Sequence, residues 1–175
     1  MKMRYFIIVG CLLLISVNSL GQNWNKILKE IKKVQLHQYP DSKNAINAYF
    51  QLRRESNCMD KLSPVNKNDT VFMLDQFLVW NPPYLFSTCW NQTTKLSIES
   101  KDAGKTFNFT EEYCFTNYML KLVSEWNLEE IKKEEIENKE ISPEGIFATR
   151  IIFNEGQYQI DVFRFESFFN FKRDR

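Results

Sequence analysis

The sequence has few of the residues from which common catalytic and nucleotide-binding motifs are built. Only five glycines and one histidine occur among its 175 residues. It contains no P-loop, G-x-G-x-x-G, G-x-S-x-G or H-E-x-x-H motif. The single histidine, His37, belongs to no recognisable zinc-binding pattern, so a metal site would need distant partners. The sequence therefore predicts no metal and no cofactor, and it offers no local catalytic motif.

The sequence also has no excess of either charge. Its 23 Lys and Arg residues nearly balance its 22 Asp and Glu residues. This balance gives no reason to expect nucleic acid or an anionic membrane surface as a partner. A hydrophobic content of 43% and a charged content of 26% are ordinary for a folded globular domain. The aromatic content of 15% is high, which directs attention to aromatic binding sites.

No apolar run is long enough for a typical membrane-spanning helix. The longest, Tyr5 to Val17, falls short of the roughly 20 residues that such a helix needs. Lys2 and Arg4 precede it, and small residues at Ser19 and Gly21 follow it. This order is typical of a secretory signal peptide at residues 1–21, which predicts an exported protein with no stable span after cleavage.

A lipoprotein signal is the competing interpretation of the same stretch. Ile8 to Cys11 has the apolar, apolar, small, Cys order that precedes lipid attachment. Cleavage there would leave about five apolar residues before the cut, fewer than the roughly seven of a signal peptide. It would also leave Leu12 to Ile15 as an apolar start of the mature chain. The sequence favours a periplasmic or extracellular protein over one anchored through Cys11.

Three cysteines remain in the predicted mature chain: Cys58, Cys89 and Cys114. Their spacing matches no zinc signature. Export favours one disulfide with one thiol left over. Three single pairings are possible, and the sequence does not choose among them. A fully reduced trio remains the alternative.

The sequence pattern predicts helices in the first third of the mature chain. Apolar residues recur at helical spacing from Asn23 until Pro40 ends the pattern. This stripe consists of Trp24, Ile27, Leu28, Ile31 and Val34. Asp41 and Ser42 can cap a second helix that reaches Arg53. Its residues also alternate in polarity, so the choice between helix and strand at 44–54 stays open.

The rest of the chain predicts an antiparallel meander, a helix and a closing hairpin. The expected strands are Thr70–Trp80, Tyr84–Trp90, Lys95–Ser100, Lys105–Phe109, Ile146–Phe153 and Gln157–Phe165. A helix is expected to start at Thr110, followed by a charged helix or loop to Glu140 and a break at Ser142–Gly145. The sequence thus predicts one α+β domain over residues 22–175, with helices covering one face of the sheet.

Three aromatic residues are the candidate ligand-binding residues. Trp80, Tyr84 and Trp90 flank the Pro82-Pro83 turn, where aromatic faces can stack on a sugar or hold an apolar ligand. The alternative is that they pack in the core against a covering helix.

Export, the missing catalytic motifs and the aromatic excess together favour a non-catalytic binding or interaction module. Its ligand would be a small molecule, a glycan or a protein. One alternative is a small secreted hydrolase whose carboxylates come together from distant positions. Another is an inhibitor or interaction partner of a second exported protein, for which an exposed patch at Phe163–Phe171 would be the binding surface.

Overall fold

The computed structural model describes residues 23–62, 68–78, 84–102, 105–110, 117–137 and 140–168. The helices are α1 (Trp24–Gln38), α2 (Lys43–Ser56), α3 (Cys58–Lys61), α4 (Asn117–Glu125) and α5 (Leu128–Glu137), and a short 3-10 turn spans Pro40–Ser42. The strands are β1 (Thr70–Leu78), β2 (Tyr84–Trp90), β3 (Lys95–Ser100), β4 (Asn108–Thr110), β5 (Glu140–Asn154) and β6 (Gln157–Phe168). Helices followed by an antiparallel sheet with a C-terminal hairpin confirm the α+β prediction. No helix among the described residues is long and apolar enough to cross a membrane.

Helix α1 follows the predicted pattern closely. Asn23 caps its start, because the side-chain oxygen accepts a hydrogen bond from the Lys26 amide at 3.1 Å. The helix ends just before Pro40, as predicted. Gln35 rather than Val34 completes its buried stripe, and the Gln35 amide lies 3.4 Å from the Thr149 hydroxyl to which it donates. The other buried residues are Ile27, Leu28 and Ile31.

The ambiguous stretch at 44–54 is helical. Helix α2 buries one face at helical spacing, comprising Ala45, Ile46, Tyr49, Leu52, Arg53 and Ser56. It ends at Asn57, which has the left-handed backbone (φ 49°) common at helix C-termini. Asp41 and Ser42, the predicted caps, instead accept hydrogen bonds from the Arg164 guanidinium at 2.6 and 2.9 Å. These contacts fix the start of α2 to strand β6.

The strand order is β4-β3-β2-β1-β5-β6, and every neighbouring pair is antiparallel. The predicted meander and closing hairpin are both confirmed. Strand β1 lies near the centre, so Met73 is opposite Cys89 on one side and Thr149 on the other. The β5–β6 turn has positive φ at Glu155 (47°) and Gly156 (87°), as a two-residue hairpin turn of the I′ type requires.

Some predicted boundaries are wrong. Strand β4 spans Asn108–Thr110 rather than Lys105–Phe109. The helix expected to start at Thr110 falls on residues 111–116, which lie outside the described residues. The break expected at 142–145 lies inside β5, which already begins at Glu140. The β5–β6 pairing is irregular between Ile141 and Ile146. Such an interruption accommodates Pro143, because proline cannot donate a hydrogen bond to the neighbouring strand.

The expectation that helices cover one face of the sheet is also wrong, since helices pack on both. Helices α1 and α2 pack on the face that carries Val71 and Met73 of β1. Helices α4 and α5 pack on the opposite face, against Leu74 and the half-buried Phe72. Successive strand residues point to opposite faces, so a strand that is apolar at both sets of positions needs cover on both sides.

Candidate functional site

A buried ion pair lies between α2 and the sheet. Arg53, in the last turn of α2, contacts Asp75 in the middle of β1 through Nη2 and Oδ2. Their side chains are 2% and 0% exposed. The hydroxyl of Ser87 on β2 donates to Oδ1 of Asp75 at 2.7 Å. Two charges withdrawn from water in this way are tolerable only because they are paired with each other and hydrogen-bonded.

The environment of this pair shifts both pKa values. Burial raises the pKa of Asp75, against the opposing effects of Arg53 and Ser87, which favour the ionised carboxylate. Burial alone would lower the pKa of Arg53, but the negative charge of Asp75 outweighs it, and the pKa is raised. Arg53 therefore carries its positive charge inside the protein.

Two of the candidate disulfide cysteines lie beside the ion pair. Cys58 opens α3, Cys89 lies on β2, and both are wholly buried free thiols. The two thiols influence each other, so that the pKa of Cys58 is raised and that of Cys89 is lowered. The sulfur of Cys89 is 3.8 Å from the Ser87 hydroxyl. We call the group made by these two thiols and the side chains of Arg53, Asp75 and Ser87 the buried polar cluster.

A small cavity opens where the first turn of α1 meets the end of α2. Its volume is about 180 Å³. Its wall is mostly polar and carries one large aromatic ring, that of Trp24. The lining residues are Asn23, Trp24, Asn25, Leu28, Arg53, Arg54, Asn57, Met59 and Asp60. We call this space the α1–α2 cavity.

Arg53 belongs to both the buried polar cluster and the wall of the α1–α2 cavity. Its Nε is buried and has no hydrogen-bond partner within the part of the chain that the structure describes. A buried donor without a partner costs free energy. The half-buried ring of Trp24 is held edge-on against Phe153, with 5.8 Å between ring centroids. The cavity thus offers a fixed ring and a buried cation.

The described residues bring no three His, Cys, Asp or Glu side chains together where they could hold a metal ion. The donors in the α1–α2 cavity are guanidinium and amide groups, which suit oxygen atoms of an organic ligand. No family model, curated protein or solved structure matches this chain.

The structure describes two of the three predicted aromatic residues, Tyr84 and Trp90, which lie at opposite ends of β2. Trp90 is 7% exposed, stacks on Phe72 at 5.5 Å, and donates from its indole nitrogen to the Ser124 hydroxyl at 2.9 Å. Tyr84 lies at the other end of β2, where its hydroxyl donates to the Glu99 carboxylate. Trp80 and the Pro82-Pro83 turn lie outside the described residues, as does Cys114 among the candidate cysteines.

The patch proposed for an interaction partner is only partly described. Phe165 is fully buried against the core on the α4 and α5 side. Phe163 is half-buried, and the ammonium group of Lys132 lies 5.3 Å from its ring centroid. Residues 169–175 lie outside the described part of the chain.

The ion pair was not predicted from the sequence, although the positions of both partners in the apolar pattern indicate it. Arg53 lies at helical spacing from Ile46 and Tyr49, on the apolar side of the predicted second helix, where a charged residue is out of place. Asp75 alternates with Met73 and Phe77 along β1, so its side chain points to the same buried face. One cation and one anion at inward-facing positions of neighbouring elements indicate a buried pair.

Proposed function

We propose that this chain is an exported, non-catalytic binding module whose ligand occupies the α1–α2 cavity. The observation that carries this proposal is the composition of the cavity wall. It combines the ring of Trp24, the buried guanidinium of Arg53 and the side-chain amides of Asn25 and Asn57. An aromatic face beside planar polar groups suits a sugar ring, which has an apolar face and a rim of hydroxyl groups.

The size of the cavity limits the ligand. About 180 Å³ is less than the roughly 300 Å³ at which pockets for drug-sized ligands begin. A single sugar ring, free or at the end of a longer glycan, is therefore the proposed ligand. The predicted signal peptide supports this assignment, because an exported protein meets extracellular glycans and free sugars.

The proposal assigns separate roles to the wall residues. Trp24 provides the stacking surface, and the positive charge of Arg53 in the wall attracts the oxygen atoms of the ligand. Asn57 and the carboxylate of Asp60 bind hydroxyl groups at the rim. Asn23 has a structural role, since its side-chain oxygen is already used to cap α1.

A thermal-shift screen tests the proposal. The probes are glucose, galactose and N-acetylglucosamine, with free amino acids and small dicarboxylates as the other ligand classes. We expect at least one sugar to raise the Tm of the wild-type protein, because a ligand that binds only the folded state stabilises it. Trp24→Ala and Asn57→Gly should lose this shift. Glycine tolerates the positive φ of position 57, so the second variant removes the amide without backbone strain.

Tyr118→Ala is the matched control. Tyr118 is a large aromatic residue that is 45% exposed, and it lies on α4, across the sheet from the α1–α2 cavity. The control should keep the full sugar-induced shift. A shift retained by Trp24→Ala would place the site elsewhere, and a response to amino acids or dicarboxylates but not to sugars would refute the ligand class.

A further inference from the structure

We propose that two copies of this chain form a symmetric dimer by pairing their β6 strands antiparallel. Strand β6 is the last strand on one side of the sheet, so its outer edge has no neighbouring strand among the described residues. The strand at the other edge, β4, has only 3 residues, whereas β6 has 12. A long open edge is a template for pairing with another strand, and a short one is a poor template. This inference goes beyond the proposed function and does not depend on the ligand.

Alternate residues of β6 direct their backbone groups towards the open edge. Asn154 and Gln157 flank a two-residue turn, so Gln157 and every second residue after it bond to β5. The amide of Arg164 agrees with this alternation, because it donates to the Tyr39 hydroxyl at 3.3 Å. The even-numbered residues of β6 therefore point their amides and carbonyls away from β5, and Tyr39 occupies the outward amide at Arg164.

Three outward-facing residues of β6 lie between the turn and Arg164. They are Tyr158, Ile160 and Val162, and no hydrogen bond from within the described part of the chain reaches their outward backbone groups. Ile160 is the middle one, so a two-fold axis at Ile160 pairs all three with a second copy. Each pair exchanges two backbone hydrogen bonds, about six in all. A register shifted either way would set one of the three against the turn or against Arg164 of the second copy.

The side chains of this edge complement those of a second copy. In this register Tyr158 lies opposite Val162 of the second copy, and Ile160 lies opposite itself. Aromatic and β-branched residues form favourable cross-strand pairs. All three are half-buried against the core under α1 and α2, so pairing covers more of their apolar surface. On the other face the Asp161 carboxylate, an acceptor, lies opposite the Gln159 amide of the second copy, which is a donor, so no like charges meet.

The helices leave room for this pairing. Helix α1 lies along β5, since the Trp24 ring contacts Phe153 and the Gln35 amide donates to Thr149. Three strand spacings, about 14 Å, would separate α1 from its copy. Helices in contact lie only about 8–10 Å apart, so the two copies of α1 do not collide. Helix α5 reaches β6 at Phe163, so the two-fold axis places its copies towards opposite ends of the paired strands.

The mass of the exported protein in solution tests the proposal. Size-exclusion chromatography with light scattering should give twice the chain mass for the wild-type protein. Ile160→Lys sets two like charges together at the two-fold axis and should halve that mass. Ile160→Pro should do the same, because it removes an outward amide and leaves the hydrogen bonds to β5 in place. Ile152→Lys is the matched control: Ile152 is also half-buried, but it lies on β5, which is paired on both sides, so this variant should stay dimeric.

Cross-linking tests the register. Oxidation of the Ile160→Cys variant should join two chains through position 160, which peptide mapping identifies, whereas Ile152→Cys should give no such link. A dimer without the link at position 160, or one that survives both Ile160→Lys and Ile160→Pro, would overturn the proposal. A wild-type protein that stays monomeric at every concentration would leave the edge to a different partner and would also overturn it. The wild-type mass needs no variant, so it decides the question even if a variant fails to fold.

Discussion

The two faces of the sheet bury their residues in different ways. Towards α1 and α2, the sheet buries the Arg53–Asp75 pair, two thiols and the polar contact between Gln35 and Thr149. Towards α4 and α5, the sheet buries uncharged polar residues such as Thr88 and Ser97, which hydrogen-bond each other at 2.9 Å, but no ion pair among the described residues, and its core cluster is aliphatic and aromatic. Its buried members include Leu74, Met119, Leu120, Leu122, Val123, Ile131, Ile146, Ala148 and Phe165.

The difference shows which face of the sheet determines how the helices are positioned on it. An apolar interface accepts several arrangements of similar volume at modest cost. A buried ion pair accepts few, because any shift leaves a charge without its partner. We therefore infer that Arg53 and Asp75 fix the position of α2 on the sheet, whereas α4 is held mainly by apolar burial.

Removing one member of the ion pair should give the largest effect. Asp75→Ala leaves the Arg53 guanidinium buried without a counter-charge. We expect the free energy of unfolding to fall by about 3–5 kcal/mol. Urea denaturation followed by circular dichroism measures this change.

Two variants sharpen that result. Replacing both residues, as Arg53→Met with Asp75→Leu, removes both charges and should recover much of the lost stability. Asp161→Ala breaks the Arg150–Asp161 pair, whose side chains are 25% and 24% exposed, and should cost only about 0–1 kcal/mol. If Asp75→Ala lowers the free energy of unfolding by less than Asp161→Ala does, the buried pair does not fix α2.

A smaller effect is expected on the face towards α4. Trp90→Phe keeps an aromatic ring against Phe72 but removes the indole hydrogen bond to Ser124. The net loss should be about 1 kcal/mol, the usual contribution of one such bond. A double-mutant cycle with Ser124→Ala isolates this contribution. If the two losses simply add, the hydrogen bond contributes nothing measurable.

The smallest effect concerns an exposed carboxylate. The amide and hydroxyl of Thr106, at 2.8 and 2.7 Å, and the Ser100 hydroxyl donate to Asp102, and these bonds lower its pKa below the ordinary 3.8. A carboxylate whose pKa is lowered on folding stabilises the protein above its unfolded pKa. That stability is lost as the pH falls below about 3.8, through the folded pKa.

Asp102→Asn should therefore be less stable than the wild-type protein at neutral pH, and the difference should shrink on acidification. Tm measured between about pH 5 and pH 2 checks this. The contribution of Asp75 to stability should depend on pH in the opposite direction. Burial raises its pKa, so this contribution should decrease as the pH rises and the carboxyl group ionises. A difference between Asp102→Asn and wild type that stays constant with pH would contradict the assignment.

The local sequence pattern predicts the helices and strands but not which faces of the sheet the helices cover. The apolar stripe of α1 and the turn at Glu155-Gly156 depend on residues close in sequence, and the structure confirms both. The burial of Gln35 depends on Thr149, which lies 114 residues away and cannot be inferred from helical spacing. The second helical layer was missed for a similar reason. Apolar residues on both faces of β1 indicate cover on both sides, but they do not show which helices provide it.

The candidate site was harder to predict than the fold. Its wall comes from the start of α1, the end of α2 and the start of α3, and its buried cation comes from a residue first placed on an apolar stripe. The aromatic residues that the sequence suggested are common both in cores and in binding sites, so residue type alone could not separate the two. Trp24, which was assigned to the α1 stripe, packs against the core as predicted and also lines the cavity.

The central place of β1 has a consequence for the order of folding. Residues 70–76 pair with residues 146–152, so one edge of the meander stays unpaired until the end of the chain arrives. Before β5 pairs with it, the open edge of this apolar strand can pair with other chains. This contact between distant segments also slows folding. A chain that ends before β5 would expose β1 along its whole length, and aggregation would then compete with folding.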